Sequence, residues 1–362
     1  MLLRTAAVGL LALPFAVGAA TAPAPVAEEG TEVTRFTDSR INESSGLALV
    51  DGRLVTVNDS GDSGRVFVVD PATGDTVGVT SWAAEPRDVE ALAPAYDDGE
   101  PTGEVWVADI GDNRAVRETV ELLRVPVGTG DREVEPEAFT LTYADGPRDA
   151  ESLLVDPATG DLVVVSKGVL GGSFYRVPSP LDPDGPNVME PLGPAVGIAT
   201  DAAFLPDGRH LVVRTYGEAV VYSWPDLASR GRFALPDQPQ GEAVAVDPAD
   251  PDALLVTSEG VEQPVLRVAL PPAVLATVGG PAPGTSDGSG GPGGTGETGG
   301  SGESEAPTGS AGSATPSDGP QWGWLAGGVA VVLLASAVLV LVGRLALGAL
   351  RAARRGTPGR RR

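Results

Sequence analysis

The chain has 362 residues, 42% of them hydrophobic, with a formal charge of −24, one histidine and no cysteine. Disulfides and thiol chemistry are excluded, and the lone His210 leaves neither a Ser-His-Asp triad nor a histidine-based zinc site. Without the seven arginines of 344–362 the rest carries −31, which argues against a nucleic-acid partner held through phosphate contacts.

Residues 1–27 carry Arg4, an apolar stretch and then small residues, the pattern of a secretory signal peptide. The next segment, 28–278, is built on a phrase that recurs five times. It reads Glu-Ser-Ser-Gly-Leu (43–47), Asp-Val-Glu-Ala-Leu (88–92), Asp-Ala-Glu-Ser-Leu (149–153), Ala-Thr-Asp-Ala-Ala (199–203) and Gln-Gly-Glu-Ala-Val (240–244). Each copy leads to a second apolar run with a polar tip: Asn-Asp-Ser-Gly (58–61), Asp-Ile-Gly-Asp (109–112), Ser-Lys-Gly (166–168), Arg-Thr-Tyr-Gly (214–217) and Ser-Glu-Gly (258–260).

Repeats of this length made of short strands predict an all-β fold, a single β-propeller with one blade per repeat. In the first repeat, strands are expected over 45–50, 53–57 and 66–69, followed by the turn Asp-Pro-Ala-Thr-Gly-Asp (70–75), which recurs at 156–161. Runs such as Leu-Val-Val-Val (162–165) are apolar without alternation and suit strands covered on both faces. His210 follows a Pro-Asp-Gly-Arg turn and is expected at the surface of a hairpin. The fifth repeat shows three strands, 243–246, 253–257 and 265–270, and stops at Pro271-Pro272. Its outer strand can come from 31–37, closing the ring. Five blades result, with a sixth conceivable in the long interval between Glu90 and Glu151.

Residues 279–320 are almost all Gly, Ser, Thr, Pro, Ala and Glu, too polar to fold, and as a coil would span roughly 35 Å. Residues 321–343 contain a charge-free run from Trp324 to Gly343, long enough for a transmembrane helix. The basic tail 344–362 then follows the positive-inside pattern. The expectation is a single-pass cell-membrane protein with the propeller outside and the tail in the cytoplasm.

In each repeat the first and third residues share a strand face. This predicts a ring of carboxylates at one mouth of the channel, with Asp88, Glu90, Asp149, Glu151, Asp201 and Glu242 as candidate metal ligands. Calcium suits such all-oxygen donors. Around them, Asp59, Asp109, Lys167, Arg214, Tyr216 and Glu259 are candidate ligand-binding residues. Lys167 is the only lysine of the chain, and Lys167 and Arg214 sit at the tips of neighbouring repeats. If any residues are catalytic these two are the candidates, as a cation pair holding an anionic ester.

The phrases Glu-Ser-Ser-Gly (43–46), Asn-Asp-Ser-Gly-Asp (58–62), Asp-x-Glu (88–90), Asp-Ile-Gly-Asp-Asn (109–113), Asp-Ala-Glu (149–151), Ser-Lys (166–167) and Arg-Thr-Tyr (214–216), in this order, resemble a family of secreted bacterial β-propellers. That family is more distantly similar to the calcium-dependent β-propeller phytases and phytase-like esterases. The distant resemblance implies channel-mouth carboxylates holding calcium, with Lys and Arg on an anionic ester. Three readings stay open from the residues. They are a binding module for an extracellular ligand or protein, a calcium-dependent hydrolase of phosphate or related esters, and a structural surface protein whose ring is an internally paired polar network.

Overall fold

A computed structural model describes residues 29–247 and 250–279. The expected signal peptide, linker, membrane span and tail lie outside these residues, apart from Gly279 at the start of the linker. No helix among the described residues is long and apolar enough to cross a membrane.

The described residues are nearly all β and form a β-propeller-like ring of four-stranded antiparallel units. The first unit is β2 (Ser44–Val50), β3 (Arg53–Asn58), β4 (Arg65–Val69) and β5 (Thr76–Ser81). The second is β6 (Val89–Asp97), β7 (Glu100–Asp109), β8 (Val120–Pro126) and β10 (Glu137–Tyr143). The third is β11 (Ala150–Val155), β12 (Leu162–Ser166), β13 (Gly172–Arg176) and β14 (Asn187–Ala195). The fourth is β15 (Asp201–Phe204), β16 (His210–Arg214), β17 (Glu218–Ser223) and β18 (Ser229–Ala234). The fifth takes β19 (Gly241–Val246), β20 (Ala253–Ser258) and β21 (Pro264–Ala269) from the end of the domain and β1 (Gly30–Arg35) from its start. The innermost strands β2, β6, β11, β15 and β19 neighbour one another in that order, and β19 returns to β2.

Apolar cores fill every gap between adjacent units. This explains the unalternating strands. In β12, Leu162 and Val164 pack toward the second unit, while Val163 and Val165 pack toward the fourth. Both faces are covered, so both need apolar side chains. The turn Asp-Pro-Ala-Thr-Gly-Asp is built the same way twice. Asp70 and Asp156 each accept a backbone hydrogen bond from the alanine two residues on, at 2.9 Å. Gly74 and Gly160 then take φ of 77° and 75°, a left-handed conformation suited to glycine.

The long interval between Glu90 and Glu151 holds a single unit. Its surplus residues form β9 (Arg132–Glu133), a short strap lying parallel to β5 of the first unit. A parallel pairing of Leu141–Tyr143 in β10 with residues 187–189 of β14 joins the outer edges of the second and third units. The chain also continues past Pro271-Pro272 into α1 (Pro272–Val278), whose Val274 packs between the fourth and fifth units. His210 departs from its expected surface position. It is buried, and its Nδ1 lies 2.6 Å from Asp207 Oδ2, because the carboxylate at the hairpin turn folds back over the ring.

All these strands find their pairing partners within 29–279, inside one compact unit. Removing residues 29–36 should strip β21 of its partner and Phe36, which is fully buried, from the core between the fifth and first units. The expected result is aggregation on size exclusion and loss of cooperative thermal unfolding. Phe36→Ala alone should cost about 3–5 kcal/mol in urea denaturation.

Candidate functional site

The mouth of the channel lies where the inner strands begin and the second strands end. Four of the five inner strands carry a one-residue bulge there. The register slips between Ser44 and Gly46, Val89 and Ala91, Ala150 and Ser152, and Gly241 and Val244. Three of these bulges contain the recurring acids Glu90, Glu151 and Glu242. A bulge re-aims its side chain out of the regular alternation. The fourth unit has none: Asp201 pairs in register with Arg214 and faces differently. Its carboxylate is fully buried and accepts from Ala202 N and Val244 N, each at 2.8 Å, tying the fourth unit to the fifth. Asp201 is therefore not brought to the other candidate metal ligands.

A similar one-residue offset separates the strand tips. Asn58, Asp109 and Ser258 end their strands, and each side chain accepts backbone N–H groups just ahead of its own inner strand. Asp109 takes Arg87 N at 2.7 Å and Asp88 N at 3.0 Å, and pairs with buried Arg117 at 2.7 Å. Asp59, Lys167 and Glu259 come one residue later, where the backbone N–H bonds back to Glu43, Asp149 and Gln240. One residue changes the face. Arg214 shares the register of Asp109 and not that of Lys167. It is 0% exposed and donates to Ala243 O at 2.6 Å, Thr257 O at 2.8 Å and Gln238 Oε1 at 2.6 Å. Burial depresses its guanidinium to about 10. Arg214 is a tie between units, and the expected Lys167–Arg214 anion pair is not assembled.

Lys167 instead donates to Glu151 and, at 3.1 Å, to the Tyr216 hydroxyl, with its ammonium 5.3 Å from the Tyr216 ring centre. Burial works against its charge, but Glu151 and Tyr216 outweigh it and hold the ammonium protonated above its ordinary range. Burial likewise raises Glu151 despite the lysine. Asp149 accepts Asp112 N at 2.9 Å, and Glu242 accepts Gln240 Nε2 at 3.1 Å beside Glu259.

That leaves one convergence. Single carboxylate oxygens of Asp59, Asp88 and Glu90 all lie within 4.8 Å of one another. Glu90 is only 4% exposed, and among the described residues its carboxylate has no hydrogen-bond or ion-pair partner. Burial, then the charges of Glu151, Asp59, Asp88 and Asp149, drives it far above the usual carboxylate range. Asp59 and Asp88 are also raised, chiefly by burial. Gly111 packs against two of these acids. A Cβ there would meet the Glu90 and Asp88 carboxylates well inside contact distance and push them aside, so the glycine lets both acids sit where they do. Of the sequence-derived metal candidates the fold brings together Asp88 and Glu90, adding Asp59 from the ligand-binding group. Arg117 pairs with a nearby acid, as its place in the loop after 109–113 suggests, whereas Gln238 has no motif of its own and Gly111 lies in the Asp-Ile-Gly-Asp-Asn phrase without its contact to the acids being legible there.

Two outcomes follow. Glu242 is raised from 4.5 to about 7, chiefly by burial, so the folded state binds its proton more tightly than the unfolded chain. Its contribution to stability is present below about pH 4.5 and is lost as pH rises through about 7, on the order of 3 kcal/mol. Urea denaturation in chelator should show stability falling between pH 4.5 and about 7 and levelling off above it, and Glu242→Gln should flatten that slope. Arg214→Met should cost about 3 kcal/mol or more at any pH, because it strands buried carbonyl groups.

No family model matches the chain, and no curated protein matches it. Among solved structures it aligns with the glutaminyl cyclase of Myxococcus xanthus at 12% identity and a TM-score of 0.42, over 67% of this chain and 97% of that one.

Proposed function

We propose that this protein is an extracellular, membrane-anchored propeller that binds a ligand or protein partner at its channel mouth, with a divalent cation held by Asp59, Asp88 and Glu90. The observation that carries this reading is the unpartnered, buried Glu90 carboxylate aimed at two others. Three carboxylates cannot all stay charged at that spacing without a counter-charge. The donor set is all oxygen, with no histidine or cysteine, which favours calcium. Calcium–oxygen bonds of about 2.3–2.6 Å are compatible with oxygens spread over 4.8 Å. The remaining ligands would be water or groups of the bound partner, so the mouth would recognise its ligand partly through the ion.

Binding is favoured over turnover. A hydrolase of anionic esters needs cations free to hold the substrate, yet Lys167 is engaged by Glu151 and Tyr216, and Arg214 is buried in a seam between units. The location outside the cell rests on the signal-peptide pattern of 1–27, the 279–320 tether, the apolar run of 321–343 and the arginine-rich tail.

The test is thermal unfolding of residues 29–279 in chelator, followed by a calcium titration. A saturable rise of several degrees is expected, since an ion at a hundred times its dissociation constant adds about 2.7 kcal/mol. Glu90→Gln should abolish the rise, and magnesium should give less. An unchanged midpoint in the parent protein would overturn the reading and make protons the counter-charge.

A further inference from the structure

Below the carboxylates the same inner strands become apolar. Toward their far ends they line an open-mouthed cavity of about 330 Å³, to which all five units contribute. Leu49, Pro94, Leu154, Ala203 and Val246 represent one unit each, and no lining side chain is charged. In a chain carrying −24 this is a segregation within the bore: one end gathers acids, while the lining at the other has none, its nearest aspartates, such as Asp156 and Asp207, lying in the turns beyond it.

We propose that this end of the channel is a second binding site, for a small neutral molecule with a hydrocarbon body and one oxygen acceptor. The volume lies at the lower end of the range of small-molecule pockets. The lining offers no counter-charge, so burying an ionised group there would go uncompensated, and the negative chain repels anions in addition. Tyr96 supplies the polar handle. It is the one polar side chain in the lining, also borders a neighbouring pocket beside Arg124 and Phe139, is partly exposed, and its hydroxyl has no hydrogen-bond partner among the described residues. Burial raises its pKa, keeping the phenol protonated and able to donate. A carbonyl or ether oxygen on an otherwise apolar ligand is the complement of this arrangement. The site is independent of the cation at the mouth.

The probe is the neutral naphthyl ketone prodan, whose emission moves to the blue in apolar surroundings, titrated into residues 29–279. A saturable blue shift is expected. Ala203→Phe, which fills the cavity from a partly exposed position, should weaken binding at least ten-fold. Tyr96→Phe should weaken prodan about five-fold, the equivalent of one neutral hydrogen bond, and leave the carbonyl-free dimethylaminonaphthalene unaffected. Absence of a saturable shift, or equal affinity in parent and both variants, would overturn the proposal. Should Ala203→Phe fail to fold, Tyr96→Phe decides, because it removes a single hydroxyl: equal prodan affinity in that variant overturns the inference.

Discussion

Each four-stranded unit buries both of its faces only when it has a neighbour on either side. A row of such units leaves two apolar faces bare, while a closed ring leaves none. The pairing of β1 with β21 makes the closure, joining Gly30–Arg35 to Pro264–Ala269 across almost the whole domain. Phe36, next in the chain after β1, is then carried into the core between the fifth and first units. With no cysteine available, backbone hydrogen bonds and this core perform the clasp that a disulfide provides in many secreted domains. The channel exists because of that closure, and both candidate sites exist because of the channel.

Polar groups near the mouth divide into those the ring consumes and those it leaves over. Neighbouring units are stitched around the mouth by Ser45 to Glu90 O at 2.7 Å, Asp112 N to Asp149 at 2.9 Å and Lys167 to Tyr216 at 3.1 Å. Val244 N to Asp201 at 2.8 Å and Ser44 with Thr257 at 3.1 Å complete the circuit. These contacts satisfy groups that would otherwise be buried at a cost. What remains is Asp59, Asp88 and above all Glu90. The structural reading of the ring therefore accounts for most of its residues, and the binding reading for the minority outside these ties, of which Asp59 accepts only from Ser60 N next to it in the chain.

The two ends of the channel follow from one strand grammar. A bulge at the start of an inner strand swings its acid toward the mouth, and the residues after it return to regular pairing and present aliphatic side chains. Acids concentrated at one end repel each other and call for a cation. Aliphatic groups at the other end offer no charge and suit a neutral molecule. A small displacement in backbone register thus separates two chemistries within one bore.

The sequence determined the class of fold and its closure. Turn chemistry at 70–75 and 156–161, unalternating apolar strands and a fifth repeat lacking its outer strand all pointed to a ring completed from 31–37, and the strands formed within a residue or two of those positions. It also located the acids, because the repeat that marks them is visible in the chain. Only the tertiary structure decided which acids meet. Asp201 occupies the same place in its repeat as Glu90, yet lacks the bulge and turns into a seam. Arg214 and Asp109 lie one residue short of the positions held by Lys167 and Asp59, and that offset moves them to the other face. The physical reason is that a strand alternates faces at every residue. A motif aligned by eye fixes position only to within one residue, and the hydrogen-bond register that resolves it belongs to the partner strand.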